Sequence, residues 1–157
     1  MGVMHPNVRA VRDALTARDA HGEIRVLPDA VTTAAAAAAA LGIEVGAIAN
    51  SLIFDAGGDP VLVLTSGAHR VDTAKVAALI GVDSLKRATP DFVREHTGQA
   101  IGGVAPVGHP KPIRTLVDTA LAAFPEVWAA GGIPHAVFPT TYDELVRVTD
   151  GTPTEVA

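Results

Sequence analysis

The sequence predicts an α+β fold in which a mixed, partly closed β-sheet is surrounded by helices. Short β-prone segments alternate with short amphipathic segments, and together they amount to about eight strands and six helices. Residues 51–54 and 61–64 are two such β-prone segments, joined by a loop that contains glycine, and this pattern is typical of an antiparallel hairpin. A hairpin is incompatible with a purely parallel βαβ order, so we expect a mixed sheet with helices packed outside it.

The N-terminal part of the chain predicts a helix, a strand and a second helix. Residues 7–19 carry apolar side chains at helical spacing, and residues 23–27 alternate apolar with polar residues as a strand does. An alanine tract follows at residues 34–40. Thr32 or Thr33 can cap this second helix, because a threonine hydroxyl accepts a hydrogen bond from a free amide of the first turn.

The middle of the chain predicts two further helices and one irregular segment. Asp72 is placed to cap a helix that runs to Ile80, and Pro90 lies in the first turn of another helix that ends at Gly98. Residues 99–112 then combine many glycines and prolines with little charge, which indicates a shaped loop.

The C-terminal part returns to strands before a last helix. Three strands are expected, at residues 113–117, 126–130 and 136–138. Asp118 is placed to cap a short helix, and Thr141 with Glu144 forms a capping-box pattern for the last helix, which ends near Val148. We expect residues 150–157 to fray, as chain ends commonly do.

Composition limits the functional classes. The chain has 157 residues, the length of one domain spanning 1–157, and it lacks cysteine, which excludes disulfides and thiolate chemistry. Its net charge of −5 and the lack of a basic run disfavour a general DNA or RNA binder. The alanine tract is too short to cross a bilayer and no leader pattern is visible, so we expect a cytoplasmic protein without membrane contact.

Motifs for metals, nucleotides and side-chain triads are also missing from the sequence. The six histidines show no metal-ligand spacing, so we predict neither a metal site nor a cofactor. Ser66, at the end of a strand before Gly67, has the position of a nucleophile or of an ordinary strand-to-loop junction. The second interpretation is favoured because no nucleophile-elbow motif surrounds it.

The glycine-rich loop at residues 101–108 is the most informative segment. Glycines let main-chain amides approach a ligand closely, and such amides can stabilise an oxyanion or bind a phosphate. The same composition also fits a tight crossover between strands. Residue composition alone favours neither interpretation.

Seven segments, taken in order, point to a known family. They are Ile48–Phe54, Leu64–Gly67, Arg70–Asp72, Thr97–Gly98, Ile101–Gly108, Trp128–Gly132 and Leu145–Thr149. Their order resembles the YbaK and prolyl-tRNA-synthetase-associated domain family. The resemblance extends from about Glu23 to Thr149 and is strongest in the Gly-Gly-x-x-Pro-x-Gly element that begins at Gly102.

This resemblance implies a barrel-like mixed sheet wrapped by helices, and an activity. The activity is trans-editing, the hydrolysis of the ester that joins a wrong, small amino acid to the 3′ end of tRNA, without a metal. The resemblance implies that Gly102, Gly103 and Gly108 line the pocket near the ester. Pro106 and Gly131, which lie in the same motifs, are expected to contact the substrate.

The hypothesis of a deacylase, which builds on this resemblance, gives roles to individual residues. The amides of Gly102 and Gly103 would stabilise the tetrahedral oxyanion, while Asn50 would orient the terminal adenosine or its phosphate. Ser51 and Ser66 are candidate polar contacts. His109 is a candidate for proton transfer, and its alternative, favoured interpretation is a solvated loop histidine. Family members commonly carry lysine where this chain has Asn50, and asparagine donates hydrogen bonds without a charge.

Two alternative functions remain open on the sequence. The first is a binding module that holds an aminoacyl-nucleotide or a tRNA 3′ end without turnover. The second is hydrolysis of a small ester unrelated to tRNA, which the acidic net charge favours. The expected partners of the editing hypothesis are a mischarged tRNA and an aminoacyl-tRNA synthetase.

Overall fold

The computed structural model describes residues 4–157, which form five α-helices, two short 3-10 segments and one eight-stranded sheet. The helices are α1 (Pro6–Ala17), α2 (Ala34–Leu41), α3 (Thr73–Ile80), α4 (Pro90–Thr97) and α5 (Tyr142–Thr149). The strands are β1 (Arg25–Val26), β2 (Ile48–Ala56), β3 (Asp59–Ser66), β4 (Lys86–Arg87), β5 (Arg114–Asp118), β6 (Val127–Ala130), β7 (Ala136–Thr140) and β8 (Thr152–Thr154). The 3-10 segments are Val45–Ala47 and Thr119–Ala123.

The sheet is mixed, as predicted. Its strand order is β1-β7-β6-β2-β3-β5-β8, and β4 pairs with β2 beside this path. The hairpin β2–β3 is antiparallel, whereas β2–β6, β3–β5 and β5–β8 are parallel. The expected partial closure is wrong, because β1 and β8 end the order at opposite sides and do not pair with each other.

Helices cover both faces of the sheet. Alternate residues of β2 point to opposite faces, so Ala49 and Ile53 pack in a core with α1, α4 and α5. On the other face, Phe54 packs in a second core against α3, and Ile48 in a third core against α2. The hairpin is therefore buried from both sides, which fixes its position in the molecule.

The helix ends largely follow the predicted capping chemistry. The hydroxyl of Thr33, not that of Thr32, accepts from the amide of Ala36 and so caps α2. The capping box of α5 is only half formed. Thr141 accepts from the amide of Glu144 at 3.1 Å, but the Glu144 carboxylate accepts from the Thr140 hydroxyl at 2.7 Å.

The C-terminal tail is part of the fold, so the expected fraying is wrong. Thr152–Thr154 pairs with β5, and the Val156 carbonyl accepts from the amide of Asp72 at 2.7 Å. The side chain of Val156 is 0% exposed in the core beside α3. Burial of the Val156 side chain, together with the pairing of β8 with β5, holds this segment in place.

The helices of the described part, residues 4–157, all fall short of the length and apolar character that a bilayer crossing requires.

We predict that Val156→Ala lowers the free energy of unfolding by roughly 2 kcal/mol, because it removes buried methyl groups and leaves a cavity. Urea denaturation measures this change. Val26→Ala is the matched control, because Val26 is 63% exposed, and its effect should stay within about 0.5 kcal/mol. Equal effects of the two substitutions would show that the tail contributes nothing to the core.

Candidate active site

The candidate site begins where one edge of β2 changes its partner. On this edge β6 pairs with Ile48 and Ala49, and β4 pairs with Phe54 and Asp55. No strand of residues 4–157 pairs with this edge between those two regions, at residues 50–53. The sheet therefore splits at the middle of β2, and a cavity occupies the split.

The cavity has a volume of about 240 Å³ and is lined by residues of the sheet and by residues of the helices and loops around it. From β2 it takes residues 48–53, and from the neighbouring strands Trp128, Ala129, Ala130, Ala136 and Val137. The remaining walls are Val31–Ala34 and Ala37 around the start of α2, Arg87, Ala88 and Val93 around β4 and α4, and Ile101, Gly102 and Val104 from the glycine-rich loop. Most of these side chains are small and apolar.

Main-chain groups of β2 face the cavity as well as side chains. In a strand the main-chain groups of alternate residues point to the same edge. Ala49 pairs with β6, and the Ile53 carbonyl accepts from the Ala88 amide at 3.3 Å, so both residues use this edge. Ser51 is two residues from each of them, so its main chain faces the same edge of β2. The amide and carbonyl of Ser51 therefore point into the split.

Asn50 and Ser51 line the cavity from opposite faces of the sheet. Asn50 shares its face with Ile48 and Leu52, and Ser51 shares the other face with Ala49. The Ser51 hydroxyl is buried and has no hydrogen-bond partner within the described chain. An unpaired buried hydroxyl costs about 1–3 kcal/mol, so Ser51 offers an unmet polar group at the cavity wall.

Gly102 forms part of the rim opposite β2. Its φ of +89° lies in the left-handed region, which favours glycine, and a Cβ at this position would lie 3.2 Å from the Cβ of Thr32. Within residues 4–157, the Gly102 amide donates no hydrogen bond to another main-chain group. The loop therefore meets the start of α2 at Gly102 and leaves one main-chain donor unused there.

The other glycines of the loop serve packing and do not line the cavity. The Gly103 amide donates to the Ala100 carbonyl at 3.0 Å, and a Cβ on Gly103 would lie 2.7 Å from the main chain of Ile133. Gly108 packs on α1, where a Cβ would lie 3.0 Å from the Val11 amide nitrogen. Of the two glycines expected to donate to the oxyanion, Gly102 lines the cavity and Gly103 does not.

Two other predicted substrate contacts also lie outside the cavity lining. Pro106 is buried between the core residues Ala105 and Val107. The Gly131 amide donates to the Ala136 carbonyl at 2.7 Å and closes the turn between β6 and β7. Both residues shape the segments that carry the site.

Ser66 is the last residue of β3 and does not line the cavity. Its hydroxyl donates to the Gly46 carbonyl at 2.8 Å, and its amide donates to the Asp118 carboxylate at 2.9 Å. The same carboxylate lies 2.9 Å from Nδ1 of His69. Because the Ser66 hydroxyl proton is already engaged, this group is a structural junction, which agrees with the favoured interpretation of the sequence.

His109 is likewise a structural residue. Its Nε2 carries the proton and donates to the Ala105 carbonyl at 2.8 Å, since a carbonyl can only accept. Burial lowers the pKa of His109 below its ordinary value, and the hydrogen bond to Ala105 opposes this shift to a smaller extent. The ring does not line the cavity, so the predicted proton transfer has no support from its position.

Arg87 and Trp128 are among the cavity residues that the sequence interpretation did not assign to the site. Arg87 lies on a strand of only two residues, which is too short to show any periodicity. Trp128 was recognised within a family motif but was not assigned to the site. Its indole nitrogen donates to the Glu126 carboxylate at 3.0 Å, and the Arg25 guanidinium lies 5.1 Å from its ring centroid.

Comparison with known proteins identifies the family. The profile of the aminoacyl-tRNA editing domain matches residues 28–148. The chain belongs to this editing-domain family. This family membership confirms the resemblance to the YbaK and prolyl-tRNA-synthetase-associated domains.

Individual relatives agree with the family. The proline–tRNA ligase of Nitratidesulfovibrio vulgaris is 37% identical over 81 residues, which are 52% of this chain but only 14% of the ligase. The uncharacterized protein YwhH of Bacillus subtilis is 29% identical over 140 residues, which are 88% of each chain. A crystal structure described as a candidate trans-editing enzyme for prolyl tRNA synthetase is 43% identical, with a TM-score of 0.90 and 98% of each chain covered.

We predict that His109 makes the free energy of unfolding depend on pH. Its lowered pKa means that the folded state binds this proton less readily than the unfolded state. The stability is therefore complete above about pH 6.5, the unfolded pKa, and falls as the pH drops from there toward the folded pKa. His109→Gln removes this titration and should flatten the decline between about pH 7.5 and about pH 5.

Urea denaturation at several pH values measures this slope. His21→Gln is the control, because His21 is exposed and should leave the wild-type decline unchanged. A His109→Gln variant that declines as steeply as the wild type would contradict the prediction.

Proposed function

We propose that this chain is a trans-editing hydrolase that cleaves the ester between a small amino acid and the 3′ end of a mischarged tRNA. The cavity in the split of β2 would hold the aminoacyl group and the terminal nucleoside. We take tRNA for proline as the first carrier to test, because the relatives include proline–tRNA ligases and a candidate trans-editing enzyme for prolyl tRNA synthetase. The proposal includes a synthetase as a delivery partner and requires no cofactor.

One observation carries this proposal: the cavity combines a small apolar wall with main-chain donors that have no partner. Ala49, Ala129 and Val104 contribute small side chains to the wall, which leave room for a short aminoacyl side chain. Gly102 contributes an unused amide at the rim. This combination suits an aminoacyl ester, because the side chain of a small amino acid such as alanine is apolar. The carbonyl oxygen of the ester acquires negative charge during hydrolysis and requires a donor.

The proposed reaction uses water as the nucleophile. Water attacks the carbonyl carbon, and the resulting oxyanion accepts a hydrogen bond from the Gly102 amide. The carbon–oxygen bond to the ribose then breaks, and the ribose oxygen receives the proton that the water gives up. A neighbouring ribose hydroxyl would relay this proton, as the family resemblance implies. The products are the free amino acid and the uncharged tRNA.

Asn50 would orient the substrate without charge. Its side chain shares a face of the sheet with Trp128 and Leu52, beside the start of α2. An amide can both donate and accept, so it can bind a ribose hydroxyl or an adenine edge. We expect the absence of a lysine here to weaken activity on the family's usual substrates by up to about thirtyfold, equivalent to the loss of one charge-assisted contact of about 2 kcal/mol.

We predict that the protein accelerates the hydrolysis of alanine from mischarged tRNA for proline. Gly102→Ala should reduce kcat/KM for this reaction roughly a hundredfold. The substitution forces a side chain into a left-handed conformation against Thr32, and it therefore displaces the amide that faces the oxyanion. Release of labelled alanine measures the rate. Cysteinyl- and seryl-tRNA extend the assay to the other small side chains.

Gly81→Ala is the matched control for this experiment. Gly81 also has a positive φ, +75°, but it ends α3 and does not line the cavity. Both substitutions impose comparable backbone strain, so only Gly102→Ala should lose activity. If none of the charged tRNAs decays faster with protein than in buffer, the hydrolase proposal fails.

A second candidate function is a binding module that does not turn its ligand over. One observation favours it: the cavity lining, within residues 4–157, includes no carboxylate, imidazole or thiol that could act as a general base. Under this alternative, an amide-linked analogue of alanyl-adenosine would raise the melting temperature. Ester substrates would nevertheless remain intact in the deacylation assay.

A further inference from the structure

Arg87 is the only charged side chain among the cavity-lining residues of the described chain. It is exposed, and it takes part in none of the ion pairs or side-chain hydrogen bonds found within residues 4–157. The protein as a whole carries a net charge of −5. A single unpaired guanidinium at the cavity of an acidic protein therefore marks the point where an anion is attracted.

The pairing of β4 with β2 determines where this charge lies. Arg87 is the register partner of Phe54, so it shares a face of the sheet with Phe54, Leu52 and Asn50. Along β2 the Cα atoms of Asn50 and Phe54 are separated by about 13 Å, at about 3.3 Å per residue. Asn50 and Arg87 thus stand at the two ends of the unpaired part of β2.

Lys86 provides a contrast within the same strand. It is the register partner of Asp55, so its side chain leaves from the opposite face, and it does not line the cavity. Arg25 lies on the Arg87 face but rests over the ring of Trp128. Arg87, unlike Arg25 and Lys86, lines the cavity.

We propose that Arg87 binds a phosphate group of the ligand, the phosphate attached to the terminal nucleoside. This inference rests on the proposed function, because it takes an aminoacyl ester as the ligand. In such an ester the carboxyl group of the amino acid is consumed, and the free amino group is positively charged. The phosphate is then the anionic group nearest to the reacting bond.

The chemistry of arginine suits this role. A guanidinium presents several donors in one plane and can bind two phosphate oxygens at once. It also repels the ammonium group of the amino acid, which favours an orientation with the aminoacyl group away from Arg87. Arg87 is a positioning and binding residue in this scheme, and the ester chemistry stays at the Gly102 rim.

The experiment compares two probes that differ only in the phosphate. They are 3′-deoxy-3′-(L-alanylamino)adenosine, which has a stable amide in place of the ester, and its 5′-monophosphate. Calorimetric titration of the wild-type protein should show roughly tenfold tighter binding of the monophosphate, the size expected for a charge-assisted contact. Arg87→Ala should bind both probes equally, and Arg87→Lys should keep part of the preference.

Lys86→Ala is the control and should retain the full phosphate preference, because it removes the same charge from the other face of β4. Salt gives a second readout. Added salt should weaken binding of the monophosphate to the wild type more than to Arg87→Ala, because salt screens a charge–charge contact. A purely structural role of Arg87 would change neither the preference nor this salt dependence.

Four outcomes would overturn the inference. Equal phosphate preference in the wild type and in Arg87→Ala excludes Arg87 as the phosphate ligand. Equal binding of both probes to the wild type removes the phosphate site but leaves the proposed hydrolase intact, since deacylation of tRNA tests that function separately. Competition by free L-alanine that disappears in Arg87→Ala would show that Arg87 binds carboxylates instead. If the wild type binds neither probe, the inference fails together with the proposed ligand.

Discussion

One edge of a strand can pair with only one neighbour at each position, and this constraint organises the molecule around β2. The hairpin partner β3 occupies the other edge along the whole length of β2. β6 and β4 share the remaining edge and leave residues 50–53 between them. The main-chain groups exposed there would be costly to bury without partners, so they are available to a polar ligand.

The same arrangement explains why main-chain groups and small side chains dominate the site. The cavity reaches both faces of the sheet, so its walls come from strands and helix starts that are already fixed by core packing. Alanine and valine leave space between these elements, whereas the rim glycine lets the loop approach α2. A rigid, preorganised amide can stabilise negative charge on a ligand without reorganising, whereas the lining within residues 4–157 includes no carboxylate, imidazole or thiol.

Local chemistry made much of this architecture predictable. The hairpin, the caps at Thr33 and Asp72 and the ordered family segments follow from patterns within a few residues of one another. The site was predictable only in part. Gly102 and Gly103 are adjacent glycines, and the sequence does not show that the Gly103 amide forms a hydrogen bond within the loop whereas the Gly102 amide does not. β4 and the buried tail depend on pairing with distant strands, and segments of two or three residues carry too little pattern to reveal such pairing.

The outermost strands bear on how the protein behaves at high concentration. β1 has two residues, and β8 has three with Pro153 at its centre. Long, regular outer strands invite neighbouring molecules to add to the sheet, and they are a common origin of aggregation. Pro153 carries no amide hydrogen, and the two residues of β1 can form few hydrogen bonds with an added strand. Neither β1 nor β8 is therefore a long, regular border to which a second molecule could add a strand.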